Sequence, residues 1–147
     1  MSVMMLVVVI AGRRTGLPAP AVNSVIDLAS ITPVPRAAPH VAGLAALRSR
    51  PLTVIDCRAA LGLEPEGGAA ARRRAVVVEH EGHLYGLLVD AADAIVASRA
   101  EAGPIGADPG PGWREVASGR IETEAGALLV LDLAVLIQGV GARAAAA

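Results

Sequence analysis

Aliphatic runs separated by short polar turns set the plan of this chain. Residues 3–10 are continuously apolar, the pattern of a strand buried on both faces. Ala11-Gly12-Arg13-Arg14 predicts a turn. Residues 15–19 predict a short strand at a sheet edge, because Pro18 cannot donate to a ladder. Residues 21–28 carry Val22, Val25, Ile26 and Leu28, a spacing that fits a helical turn or a strand; we read a short turn leading into a strand. Residues 31–35 are extended, since each residue before a proline is held out of the helical region.

The stretch 41–63 organises the rest. It reads as an apolar strand, a turn at Arg48-Ser49-Arg50-Pro51, and a second strand, Leu52-Thr53-Val54-Ile55, rich in β-branched residues. Asp56 then stands at an N-cap position, where its carboxylate accepts from the free N–H groups of a short helix at 57–61, with Gly62 as terminator. A Pro/Gly/Ala linker is expected at 64–71 and a solvated lead-in at Arg72-Arg73-Arg74. Strands are expected at 75–79, 84–89 and 94–97, with Glu81-Gly82 as a turn. The Gly- and Pro-rich stretch 100–112 reads as a loop, and 113–121 and 127–131 as two more strands. Asp132 caps a last short helix at 133–138, closed by Gly139, ahead of a frayed tail at 141–147.

These pieces repeat. Val7 to Leu17 parallels Val76 to Leu88, with Gly16 matched to Gly86, and Leu52-Thr53-Val54-Ile55-Asp56 parallels Leu128-Leu129-Val130-Leu131-Asp132. Short strands at this spacing, with no long amphipathic helix, predict an all-β fold with short helices, built as two small barrels. The predicted halves are roughly 17–75 and 76–128, with the N-terminal strand and the C-terminal helix packing across. Each half would be marginal alone.

Composition narrows the function. Of 147 residues 54% are hydrophobic, yet there is no Phe, one Trp and one Tyr, so the core must be aliphatic. With 13 basic and 14 acidic residues there is no nucleic-acid footprint, and base-stacking platforms are lacking. One cysteine cannot make an internal disulfide, which fits a reducing, cytoplasmic setting. The apolar run at 3–10 has its arginines after it and not before it, unlike a signal peptide, and is too short to span a bilayer of about 20 helical residues. We read a buried strand and no direct membrane insertion.

Candidate chemistry is sparse. His80 and His83 flank a turn, and a three-residue spacing along a strand would turn them to opposite faces, a poor metal pair. Cys57 reads as a small buried hydrophobe, with an activated thiol at a helix start as the alternative. A small double-barrel ligand-binding protein or thiol enzyme using Cys57 or the histidines His40, His80 and His83 is therefore the competing reading. Asp56 and Asp132 share a helix-start position, which points to capping. Asp90 and Asp93 read as solvated turn residues. The segment 106–112 has prolines where a phosphate cradle needs N–H donors. No catalytic residue, metal or cofactor is expected.

Several segments, in order, resemble the CheW-like adaptors of bacterial chemosensory arrays: LPAPAVNSVI (17–26), ITPVP (31–35), VAGLAALRS (41–49), VIDCRAALG (54–62) and VVVEHEGHLYGLLVDAADAIV (76–96). The resemblance implies a single domain over 1–147 of two SH3-like five-stranded β-barrels. It implies a non-catalytic scaffold linking chemoreceptor cytoplasmic tips to the regulatory domain of a CheA-type histidine kinase. It places Arg48, Gly43, Val22, Ser24 and Leu47 on the partner-binding surface. The chain departs from the family pattern at Ser24, Ala46 and Ser49, where Glu, Asn and Gly are usual.

Overall fold

Two-residue turns decide where the apolar runs fold back. At Ala11-Gly12, Arg48-Ser49 and Glu81-Gly82 both central residues take positive φ, the tight turn whose twist matches that of paired strands. These turns join β1 (Met4–Ile10) to β2 (Arg13–Pro18), β4 (Val41–Leu47) to β5 (Arg50–Asp56), and β6 (Arg73–His80) to β7 (His83–Val89). The remaining strands are β3 (Val22–Leu28), β8 (Ala91–Ala97), β9 (Ala117–Thr123) and β10 (Gly126–Leu131). Among the described residues three short α-helices, α1 (Cys57–Ala60), α2 (Pro111–Val116) and α3 (Leu133–Gln138), and one 3₁₀ turn at Ala19–Ala21 complete the chain. The coordinates are a computed structural model and describe residues 3–64, 73–98, 101–124 and 126–140. The expected linker beyond Glu64, Arg72 and the tail at 141–147 lie outside the described residues.

The strands form two five-stranded sheets, ordered β3-β6-β7-β5-β4 (barrel B) and β8-β1-β2-β10-β9 (barrel A). Each is antiparallel except for one parallel pair, β5 with β7 and β10 with β2. In those pairs Val54 lies opposite Gly86, and Val130 opposite Gly16. The matched sequence blocks thus hold equivalent places in the two barrels. A Cβ at Gly86 would come within 3.1 Å of the Leu52 side chain, and one at Gly16 within 3.0 Å of Met5 and 3.6 Å of Leu128. Glycine therefore makes room for large side chains of neighbouring strands in both.

The barrels do not follow the halves 17–75 and 76–128. Barrel B is β3-β4-β5-α1-β6-β7, one continuous stretch from Val22 to Val89. Barrel A uses the same order of roles, β8-β9-β10-α3-β1-β2, but its last two strands come from the start of the chain. Partners are chosen by register and shared core, not by nearness in sequence, so the duplication is circularly permuted.

Three apolar clusters explain why β1, β6 and β7 are continuous apolar runs. Ala75, Val77 and Leu88 point into barrel B with Leu52 and Val54. Met5 and Val7 point into barrel A with Ile121, Leu128 and Val130. The alternate residues, Leu6, Val8, Ile10, Val76, Val78, Leu87 and Val89, meet between the barrels, together with Ile55, Trp113 and Leu136. α3 packs on α1 and α2 beside this shared core. His40 ties it at the rim, its Nε2–H donating to the Ile137 carbonyl at 2.7 Å.

Two sequence expectations change. Residues 15–19 do not make an edge strand: β2 is central, and only Thr15 and Gly16 join the parallel ladder, so Pro18 at the strand end costs nothing there. Residues 113–121 are not one strand. Pro111 starts helix α2, which turns Trp113 and Val116 into the shared core before β9 begins.

Each buried Leu, Ile or Val contributes about 1.5–3 kcal/mol, and the shared cluster is the largest of the three. A fragment of residues 20–90, which contains all of barrel B, should therefore lack a cooperative thermal transition and bind the dye ANS. A sharp two-state melt of that fragment would show that the barrel stands without the shared core.

Candidate protein-interaction site

Barrel B is left open on one side. Its edges, β3 and β4, do not pair with each other. Each carries a bulge, between Val22 and Ser24 and between Val41 and Gly43, which bends an edge strand. The chain after β3 straps across the gap, where Thr32 and Leu44 exchange backbone hydrogen bonds of 2.9 and 2.8 Å. A groove of about 780 Å³ remains, lined by Ile26, Asp27, Leu28, Thr32, Leu44 and Leu47 among others. Leu44 is 42% exposed, a large apolar side chain facing solvent. At the groove wall Asp27 pairs with Arg74 at 2.8 Å, both about half exposed. The surface is thus an apolar floor with a charged margin, the chemistry of a protein-docking patch.

The five residues placed on a partner surface by resemblance do not form one cluster. Leu47 lines the groove. Arg48 follows it at the exposed tip of the β4–β5 turn. Val22 and Ser24 lie at the start of β3, whereas the groove takes its end; Val22 packs against the shared core, and the Ser24 hydroxyl bonds Asn23 at 3.0 Å. Gly43 is buried, and a Cβ there would overlap the Thr32 carbonyl oxygen. Its part is to let the strap approach β4, so it shapes the groove without being available for direct contact.

Gly43 has a counterpart that the sequence alone did not disclose. Gly119 lies opposite Val130 as Gly43 lies opposite Val54, and a Cβ at Gly119 would come within 2.8 Å of the Gly103 carbonyl oxygen. Gly103 and Arg120 exchange the same two backbone bonds as Thr32 and Leu44. The offset is 119 − 43 = 76, equal to 132 − 56 for the two aspartates. That constant offset was the available signal. By the same register Arg48 corresponds to Glu124.

Asp56 and Asp132 both cap helices. Asp56 Oδ1 accepts from the N–H groups of Arg58 and Ala59 at 3.0 and 3.2 Å, and Asp132 Oδ1 from those of Ala134 and Val135 at 3.0 and 3.3 Å. The Asp56 carboxylate also faces Arg73 at 3.9 Å. Asp90 accepts from Gly12 N–H at 2.9 Å and Asp93 meets Arg14 at 3.8 Å, so these exposed carboxylates tie strands and are not merely solvated.

Cys57 is buried in the shared core. Burial, then the Asp56 and Asp90 carboxylates, push its thiol above the usual range. The proton stays on sulfur at neutral pH, the reverse of an activated nucleophile. His80 and His83 prove to face each other directly across Glu81-Gly82, on one face, because the chain reverses between them. Even so, no group of three or more His, Cys, Asp or Glu among the described residues is placed to hold a metal ion.

Paired barrels around a shared core, with an apolar groove as the accessible feature, define a double-barrel protein-interaction domain. The family model of the CheW-like domain matches residues 4–140, and the chain belongs to that family. The crystal structure of the scaffolding protein TtCheW from Thermoanaerobacter tengcongensis is similar, with a TM-score of 0.81 at 24% identity over 96% of each chain. That likeness is one of fold, two SH3-like subdomains. No curated protein matches the chain by sequence.

Two substitutions test the local geometry. Gly43→Ala must move the Thr32 strap and should lower stability by about 1–3 kcal/mol, read by denaturant unfolding. Arg48 and Ser49 have φ of 49° and 72°, where a Cβ is unwelcome and the family's usual glycine is not. Ser49→Gly should therefore raise stability by about 1 kcal/mol. A neutral or negative change would show that the turn is not strained.

Proposed function

We propose that this chain is a non-catalytic scaffold of a chemosensory array, coupling chemoreceptor cytoplasmic tips to the regulatory domain of a CheA-type histidine kinase. It works in the cytoplasm beneath the receptor array. The observation that carries this reading is the open side of barrel B, an apolar groove beside Arg48. A groove of about 780 Å³ takes several side chains of a partner helix or strand. Arg48, one residue beyond Leu47 on a tight turn, offers a planar fork to a partner carboxylate or carbonyl. No helix among the described residues is long and apolar enough to cross a membrane, so membrane proximity would come from the receptor. The mechanism is positional: the scaffold holds kinase and receptor together, and output changes by a shift in the population of kinase states, not by chemistry on this chain. Weak contacts at separate faces gain strength when engaged together.

The test is a pair of surface substitutions, Arg48→Glu at the turn and Leu44→Arg in the groove. Both positions are exposed, so stability should change by no more than about 0.5 kcal/mol. Binding to the kinase regulatory domain or to a receptor cytoplasmic fragment, measured by calorimetry, should weaken about tenfold or more, as for interface anchors. Unchanged affinity for both partners would overturn the assignment.

A further inference from the structure

We propose that barrel A carries a second docking site, a cleft lined by Arg13, Arg14 and Arg120 that seats an acidic segment of a protein partner. The site is separate from the barrel B groove and does not depend on how that groove is used. The cleft has a volume of about 300 Å³ and gathers three arginines, in a chain whose net charge is only −1. The one carboxylate in its lining, Asp108, is already engaged: Oδ2 faces Arg114 at 3.2 Å and Oδ1 accepts from Gly110 N–H at 3.0 Å. Arg14 is engaged within the fold, where it faces Asp93 at 3.8 Å, so it walls the cleft, and the charges offered to a ligand are those of Arg13 and Arg120.

The other two arginines are held but not neutralised. The Arg13 guanidinium lies 4.9 Å over the Trp113 ring. Such stacking uses the flat face and leaves the N–H edge for a carboxylate. The Arg120 guanidinium has no carboxylate partner among the described residues, and a Cβ added at Gly106 of the covering loop would lie 3.5 Å from its Nη1.

The duplication supplies the control. Arg120 and Leu44 occupy the same place, each exchanging two backbone hydrogen bonds with its strap. The backbone therefore accepts leucine there, and the arginine in barrel A answers to the surface and not to the fold. The loop also selects the ligand class. Pro109 and Pro111 have no N–H, and the Gly110 N–H is spent on Asp108. A phosphate site would recruit a row of backbone donors; this cleft offers guanidinium forks beside apolar Ile105 and Leu129, which suits a carboxylate on a peptide.

The test follows backbone amide signals of the full chain by NMR during titration with three probes. These are a capped peptide of alternating Glu and Gly, its Gln counterpart, and inorganic phosphate at matched ionic strength. The acidic peptide should shift signals around Arg13, Gly106 and Arg120 saturably, and more weakly as salt is raised. Arg120→Leu, which installs the barrel B residue, should weaken that binding about tenfold, the loss of a charge-assisted hydrogen bond, with an unchanged melting temperature. Equal shifts from the Gln peptide, binding of phosphate but not the acidic peptide, no saturable shift at all, or unaltered affinity in a folded Arg120→Leu protein would each overturn the proposal.

Discussion

Everything else in this protein depends on the apolar contact between its two barrels. Each barrel is too small to bury much inside itself; the faces it turns to its partner hold the greater part of the buried side chains. β1, β6 and β7 are therefore apolar on both sides. The short helices, Trp113 and the His40–Ile137 bond close the periphery of this same core. With stability centred there, the outer edges of the barrels are released from structural duty.

That release explains the open side of barrel B. A free sheet edge is usually a hazard, managed by bulges, short strands or a covering loop. Here both edges are bulged and a strap covers part of the gap, held by Thr32 and Leu44 and admitted by Gly43. What stays uncovered is an apolar groove beside a rigid turn. The strained backbone at Arg48 and Ser49 sits beside it, with φ of 49° and 72° at two residues that are not glycine.

Duplication lets structure and function be told apart. Features present in both barrels, such as the aspartate caps, the glycines at Gly16 and Gly86, and the strap glycines at Gly43 and Gly119, serve the fold. Positions that share a backbone environment but differ in chemistry are where function is free to diverge. Leu44 against Arg120 and Arg48 against Glu124 are the clearest such pairs: one barrel presents an apolar floor and a cationic tip, the other a cationic cleft and an anionic tip.

The sequence by itself determined most of the strands, the tight turns, the two aspartate caps and the existence of a repeat. These are local matters: period, turn chemistry and N-cap geometry act within a few residues. Only the tertiary structure decided that the repeat is circularly permuted, that Pro18 ends a central strand, and that Pro111 starts a helix carrying Trp113 inward. It alone turned His80 and His83 to one face, buried Gly43 beneath Thr32, and brought Arg13, Arg14 and Arg120 to one cleft. The reason is common to all of them. Strands find partners through register and shared core across the length of the chain, and no local pattern of residues records which distant strand will lie alongside.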